Sequence, residues 1–375
     1  MNNKLTWGLL TGMAIILFCF SCKKEKKDDV AVPEFDRKAM LTNIGNNIIV
    51  YNYEVLQTES NEFSTTVSQF NTTPDSVNLV ALRTAFKEVY NAWQLCSVFE
   101  FGPGETELLR ASVNIFPTDT TQINSNISSG VYDLSTAPNA DAKGFPAIDY
   151  LLFGTGTNLN NILSKYTTDI NAGNRKAYLA ALSNEIKTKI NSVYNAWSSS
   201  GGNYINTFVN NSGTDVGSAL GELVNQLNYD FETLKNIKIG IPLGKKTLGS
   251  PLPEKTEAYY SQLSVELILK NINAIQNIYL GRDEQGNDGQ GLDDYLVFLN
   301  ARYMNGTLSD AIKNQFSLAI NKLQQVPAPL SVSVVNNAPV VEAAYVELQK
   351  LVVLIKTDMP SAMGILITYQ DNDGD

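Results

Sequence analysis

The chain has no histidine and only three cysteines among its 375 residues. Without imidazole there is no Ser-His-Asp or Cys-His machinery, no H-E-x-x-H zinc site and no histidine ligand for haem. Basic residues are also few, with 28 Lys+Arg against 38 Asp+Glu for a formal net charge of −10. That balance argues against a nucleic-acid partner, because phosphate binding needs a clustered basic face. Strand-like alternation is scarce, Leu330-Ser331-Val332-Ser333-Val334 being the exception. What is present is a hydrophobic fraction of 43%, enough for a proper core. At roughly 100–200 residues per domain, the length allows two domains.

The N-terminus reads as a targeting segment. A weakly basic start, Met1-Asn2-Asn3-Lys4, precedes an apolar run over residues 9–20, too short to span a bilayer but suited to a secretory signal. The run ends in Phe18-Cys19-Phe20-Ser21-Cys22, after which the chain turns abruptly charged. A small residue before a cysteine at such a boundary resembles a bacterial lipobox, with Cys22 as the lipidated first residue of the mature protein. Cys19 occupies the position where Leu is preferred. An ordinary cleaved signal and a retained anchor are the alternatives. Residues 1–21 are thus expected to be a signal peptide and 22–33 a lipidated tether to the membrane. The expected location is the cell outer membrane. Lys27-Asp28-Asp29 resembles surface-export signals of bacteroidete lipoproteins and leans the protein to the outer face rather than the periplasmic one. Once Cys19 is cleaved off and Cys22 alkylated, Cys96 stands alone, so no internal disulfide is expected.

The remainder reads as helices separated by polar, Asn-rich loops. Leu82, Phe86, Val89, Trp93 and Cys96 form one helix stripe; Val341, Tyr345, Leu348, Val352, Ile355 and Met359 form another. Val216, Leu220, Leu223, Leu227 and Leu234 make a third, with Thr214 or Asp215 as N-cap. Ile268, Ile272, Ile275 and Tyr279 make a fourth, stopped by Gly281. The expected class is all-α, with two helical bundles side by side, 34–202 and 203–375, divided at Ser198-Ser199-Ser200-Gly201-Gly202. Val89-Tyr90-Asn91-Ala92-Trp93 recurs as Val193-Tyr194-Asn195-Ala196-Trp197, which reads as two helices of one bundle using the same core turn.

Glu100 extends the Trp93–Cys96 stripe by one more turn, placing a carboxylate where an apolar side chain is expected. It also falls in the last turn before Phe101-Gly102-Pro103-Gly104, where the macrodipole disfavours an anion. In Gly144-Phe145-Pro146-Ala147-Ile148-Asp149-Tyr150-Leu151-Leu152-Phe153-Gly154, Pro146 suits the first helical position. Asp149 would then lie in the first turn and share a face with Pro146. Gly240-Ile241-Pro242-Leu243-Gly244-Lys245-Lys246-Thr247 is one residue short of a phosphate loop and follows a helix, so it reads as a crossover. The acidic stretches at 281–289 and 371–375 lack the calcium-loop spacing.

The segment from Gly144 resembles the Gly-x-His-x-x-Glu motif of the imelysin family. Phe99-Glu100-Phe101-Gly102-Pro103, the stretch from Leu234 to Thr247, Glu257-Ala258-Tyr259-Tyr260-Ser261 and Gly291-Leu292-Asp293-Asp294-Tyr295 match in order. The resemblance implies two related helical bundles with a site between them. It also implies export, lipid anchoring and a link to iron uptake, under a historical label of metallopeptidase. Pro146 replaces the motif's histidine and Asp149 its glutamate, so the His/Glu chelate is absent and a peptidase activity is not expected.

The function expected is therefore that of a lipid-anchored envelope protein binding a metal or small molecule in a polar cleft. A scaffold for an organic ligand or peptide is the alternative. Glu100 and Asp149 are the acidic candidates for a metal, with Gly144 and Pro146 beside them. Glu257, Ser261 and Ser264, aligned by steps of four and three on one helix face, are candidates from the second bundle. Oxygen ligands alone would favour iron(III), calcium or magnesium, and no tightly bound transition metal is expected.

Overall fold

The computed structural model describes residues 34–369. Cys22, the signal and tether around it, and the acidic terminus at 371–375 lie outside the described residues. The class is all-α, as expected. Among the described residues the only paired strands are Arg302–Tyr303 and Gly306–Thr307.

Three long helices organise the first half: α1 (Tyr51–Thr72), α2 (Ser76–Cys96) and α5 (Ala172–Trp197). Helix α1 packs on both of the others. Its buried Tyr53, Leu56, Phe63, Val67 and Phe70 recur at steps of three, four and seven, the spacing of one helix face. The predicted α2 stripe from Leu82 to Cys96 is buried throughout, and the Asp75 carboxylate caps the helix by accepting from Asn78 N–H. Both copies of the repeated pentapeptide place a buried tryptophan in the last turn of their helices, Trp93 and Trp197.

In the second half, α6 (Ala219–Glu232) is followed by a π-type stretch, Thr233–Gly240. Helices α7 (Ser264–Leu280), α8 (Leu308–Leu323) and α9 (Ala338–Val352) complete it. Helix α8 packs on α9, and α7 packs on α2, so helices of the two halves share an interface. One continuous apolar cluster runs from Met40 to Ile365.

Three local expectations are corrected. Leu330-Ser331-Val332-Ser333-Val334 is helical, part of Leu330–Asn336. Its buried residues are Leu330, Ser333 and Val334, a helical spacing, and Ser333 Oγ donates to Pro327 O at 2.5 Å. Helix α6 is capped by Ser218 rather than Thr214 or Asp215. Gly217 adopts φ +84°, the chain turns there, and Val216 is left exposed. Helix α2 stops at Cys96, so Glu100 lies beyond it and not in its last turn.

Cys96 is a buried free thiol, and burial raises its pKa well above the usual range. The 281–289 loop closes on itself, Asp283 accepting from the backbone N–H groups of Gln285 and Asn287.

Candidate functional site

The motif helix α4 (Gly144–Asp149) begins two residues earlier than the proline suggested and runs on through Tyr150–Gly154 with π geometry. Pro146 is its third residue. That position is as tolerant of a missing N–H as the first, because none of the first four N–H groups has an intrahelical partner. Asp149 consequently falls in the second turn, out of reach of the dipole's positive end. Gly144 has φ +73°, and a Cβ there would stand 2.3 Å from the Val113 carbonyl oxygen. Both facts demand glycine. Gly144→Ala is expected to destabilise the protein by at least about 2 kcal/mol, combining left-handed strain with a backbone clash, as measured by urea unfolding.

Asp149 is 1% exposed. Its two carboxylate oxygens accept from Tyr260 N–H and Ser261 N–H, each at 2.9 Å. These donors project from a turn, not a helix. The expectation that Glu257, Ser261 and Ser264 share a helix face is corrected, because Ala258 and Gln262 have φ +50° and +65°, which breaks any helix before Ser264. The turn presents two consecutive N–H groups to a carboxylate 111 and 112 residues earlier in the chain. Burial pushes the Asp149 pKa from its ordinary 3.8 up to about 6, the hydrogen bonds from Ser261 and Tyr260 opposing it and the Glu257 carboxylate adding to it. Among the described residues Asp149 has no ion-pair partner.

Glu257, fully buried, belongs to a second set of contacts. Lys238, itself 3% exposed, places Nζ 3.1 Å from Glu257 Oε2. Glu257 Oε1 accepts from Asn114 Nδ2 at 2.8 Å and from Tyr90 Oη and Gln94 Nε2 at 3.3 Å. Lys238 also donates to Gln94 Oε1 at 2.5 Å, and the Ser264 hydroxyl donates to the Glu257 carbonyl. Sequence reasoning missed Tyr90, Gln94, Asn114 and Lys238. A signal existed for two of them: Tyr90 and Gln94 are four apart along the edge of the α2 stripe, as one-sided polar neighbours would be.

Glu100 sits in a third set. Both of its oxygens accept from Arg110 N–H, at 3.1 and 3.0 Å, at the second residue of α3 (Leu109–Val113). The carboxylate thus caps the N-terminal end of a helix, the electrostatically favourable end, instead of crowding the C-terminal end of α2. Burial nevertheless raises its pKa, with Arg110 opposing. The Arg110 guanidinium lies 3.6 Å from Asp230, whose other oxygen accepts from Asn271 at 2.8 Å and Ser97 at 3.1 Å. Glu100 and Asp149 have no hydrogen-bond partner in common.

A cavity of about 230 Å³ opens against α4, walled by Phe116, Pro117, Pro146, Asp149, Tyr259 and Tyr260 among others. Of the residues expected to bind a ligand, Pro146 and Asp149 line it, and Ser261 holds Asp149 from behind. Gly144, Glu257, Ser264 and Glu100 are not part of its lining. The side chains at these positions differ from the family motif's His/Glu pair. Pro146 offers no lone pair, Asp149 is bonded to backbone N–H groups, and Glu257 is matched by a lysine. Among the described residues no group of three or more His, Cys, Asp or Glu is placed to hold a metal ion.

Comparison with known proteins identifies the family and the fold. The family model described as imelysin, which carries a peptidase label, matches residues 49–356. Iron-regulated protein A of Synechococcus elongatus is 20% identical over 311 residues, 80% of each chain. Two solved structures share the fold at 17% identity. An iron-regulated protein A precursor from Parabacteroides distasonis has a TM-score of 0.73, covering 89% of this chain and 97% of its own. An imelysin-like protein from Psychrobacter arcticum has a TM-score of 0.67, covering 91% and 100%. The match over most of the chain, on an all-helical fold with the motif segment at a cavity wall, places this chain in the imelysin family.

Proposed function

We propose that this protein is a lipid-anchored binding protein of the cell envelope with an iron-related role, taking its ligand in the cavity beside Asp149. The observation that carries the reading is the position of that cavity: the altered family motif forms one wall and the Thr256–Tyr260 turn another. The name of the Synechococcus relative supports the link to iron. Binding is favoured over peptide hydrolysis because the motif's imidazole is replaced by Pro146 and the chain has no histidine at all. The remaining carboxylate is held by Tyr260 and Ser261 N–H groups, a geometry that fixes a turn rather than polarising a water.

The amount of protein in cells grown with and without an iron chelator tests the iron-related role. A several-fold change is expected, and an unchanged amount would remove iron from the reading. The anchoring is tested separately. Cys22→Ser is expected to move the protein from the membrane fraction to a soluble or unprocessed form, since the acyl chains supply about 0.8 kcal/mol per buried CH₂. A variant that fractionates like wild type would overturn the lipid anchor.

A further inference from the structure

We propose that the ligand of the Asp149 cavity is an organic cation, with an ammonium group set against the carboxylate and an apolar body against the rings of Phe116, Tyr259 and Tyr260. The proposal rests on reading this cavity as the ligand site. Asp149 is almost wholly buried on the cavity wall, yet no described Lys or Arg pairs with it. Buried carboxylates elsewhere in the fold do have cations: Glu257 has Lys238, Asp230 has Arg110 and Glu232 has Lys356. A buried charge without a counter-ion is costly, and a cation entering the cavity would offset that cost.

The geometry leaves room for one. An ionised carboxylate offers about four acceptor sites; the Tyr260 and Ser261 N–H groups and the Ser261 side chain engage three of them, which leaves one for an ammonium N–H. The aromatic walls add the quadrupole attraction that ammonium groups gain over Tyr and Phe rings. Tyr260 is braced for this, its ring 5.2 Å from Tyr150 and 5.1 Å from Tyr259. Lys255 is the cation in the lining, half-exposed, with the exposed Glu254 next to it in the chain and no ion pair to Asp149. A bare hard metal ion fits less well, because calcium or magnesium seeks six or more oxygens, and the lining supplies only Asp149, already bonded to two N–H groups, and the solvent-exposed Glu254 as carboxylates. An ammonium group needs only one to three acceptors.

Calorimetric titration of the full chain at pH 8 with three isosteres tests this: phenethylammonium, 2-phenylethanol and phenylacetate. The ammonium is expected to bind about tenfold more tightly than the alcohol, and phenylacetate more weakly than either. That advantage should vanish in Asp149→Asn, and all binding should weaken in Thr120→Trp, which crowds the cavity from another of its lining residues. Equal affinity for ammonium and alcohol would overturn the cation while leaving a ligand cavity in place. Preference for phenylacetate would overturn it in favour of an anion held by Lys255. If magnesium or iron(III) alone raises the melting temperature of wild type but not of Asp149→Asn, and phenethylammonium does neither, the occupant is a metal ion and the proposal is wrong. Binding of none of the three isosteres also overturns it, and this needs no variant to fold. The dependence of protein amount on iron supply is unaffected by any of these outcomes.

Discussion

Lys238→Met is expected to destabilise the protein by about 3–5 kcal/mol, the cost of stranding one member of a buried ion pair. Lys238 and Glu257 are 3% and 0% exposed, with 3.1 Å between Nζ and Oε2. Asn114, Tyr90 and Gln94 still donate to Glu257 after the substitution, but they are neutral and cannot replace the lost charge. Gln94 Oε1 loses its donor as well. The double variant Lys238→Met/Glu257→Leu should recover a large part of the loss, because the desolvation penalty disappears with both charges. Urea unfolding of the two single variants and the double gives the coupling energy directly. A Lys238→Met variant that loses less than about 1 kcal/mol would show that the pair is not the counter-charge system the geometry implies. The position of the pair explains why the loss should reach the site. Glu257 begins the turn that carries Tyr260 and Ser261, so freeing it loosens the two N–H groups that hold Asp149.

The second large effect is in pH dependence. Asp149 has its pKa raised from 3.8 to about 6 in the folded protein, chiefly by burial. Below pH 3.8 the folded and unfolded chains both hold the proton, and the stabilisation relative to the charged form is fully present. As pH rises through 4 and 5 the unfolded chain releases its proton first, so stability falls, and the loss is complete once pH passes about 6. At about 1.36 kcal/mol per pKa unit, the drop attributable to Asp149 is about 3 kcal/mol. Glu107, Asp169 and Glu347, whose pKa values are lowered by hydrogen bonds or ion pairs, act in the opposite direction, gaining stability as pH rises. The comparison must therefore be with Asp149→Asn, which retains all three. Wild type is expected to lose about 3 kcal/mol relative to the variant between pH 3.5 and pH 7, read as the difference of their urea unfolding free energies. A difference that stays flat would mean that the two N–H groups fully offset the burial of the charge.

The helical class was legible in the sequence because it depends on short-range spacing. Apolar residues three and four apart must share a face wherever the backbone is helical, and the α2, α7 and α9 stripes all follow this rule. The Leu330–Val334 segment was misread on the same grounds. Five residues fit a period of two as well as one of 3.6, and the Pro327 carbonyl that accepts from Ser333 lies outside them. The motif segment could also be located from its glycine, proline and aspartate, since a steric demand such as that at Gly144 leaves a mark on residue type.

Partners could not be read in the same way. Asp149 and Glu100 are both acidic residues near apolar helices, and nothing in their flanks separates them. One accepts from a turn more than a hundred residues away and lines a cavity; the other caps a helix ten residues on. Lys238 reads as an ordinary charge in a Lys/Asn-rich stretch until the fold brings it to Glu257. Local periodicity is enforced by covalent geometry within one turn of helix, so a few residues suffice to express it. The pairing of buried charges is set instead by which surfaces the core brings together, and that depends on the packing of the whole chain.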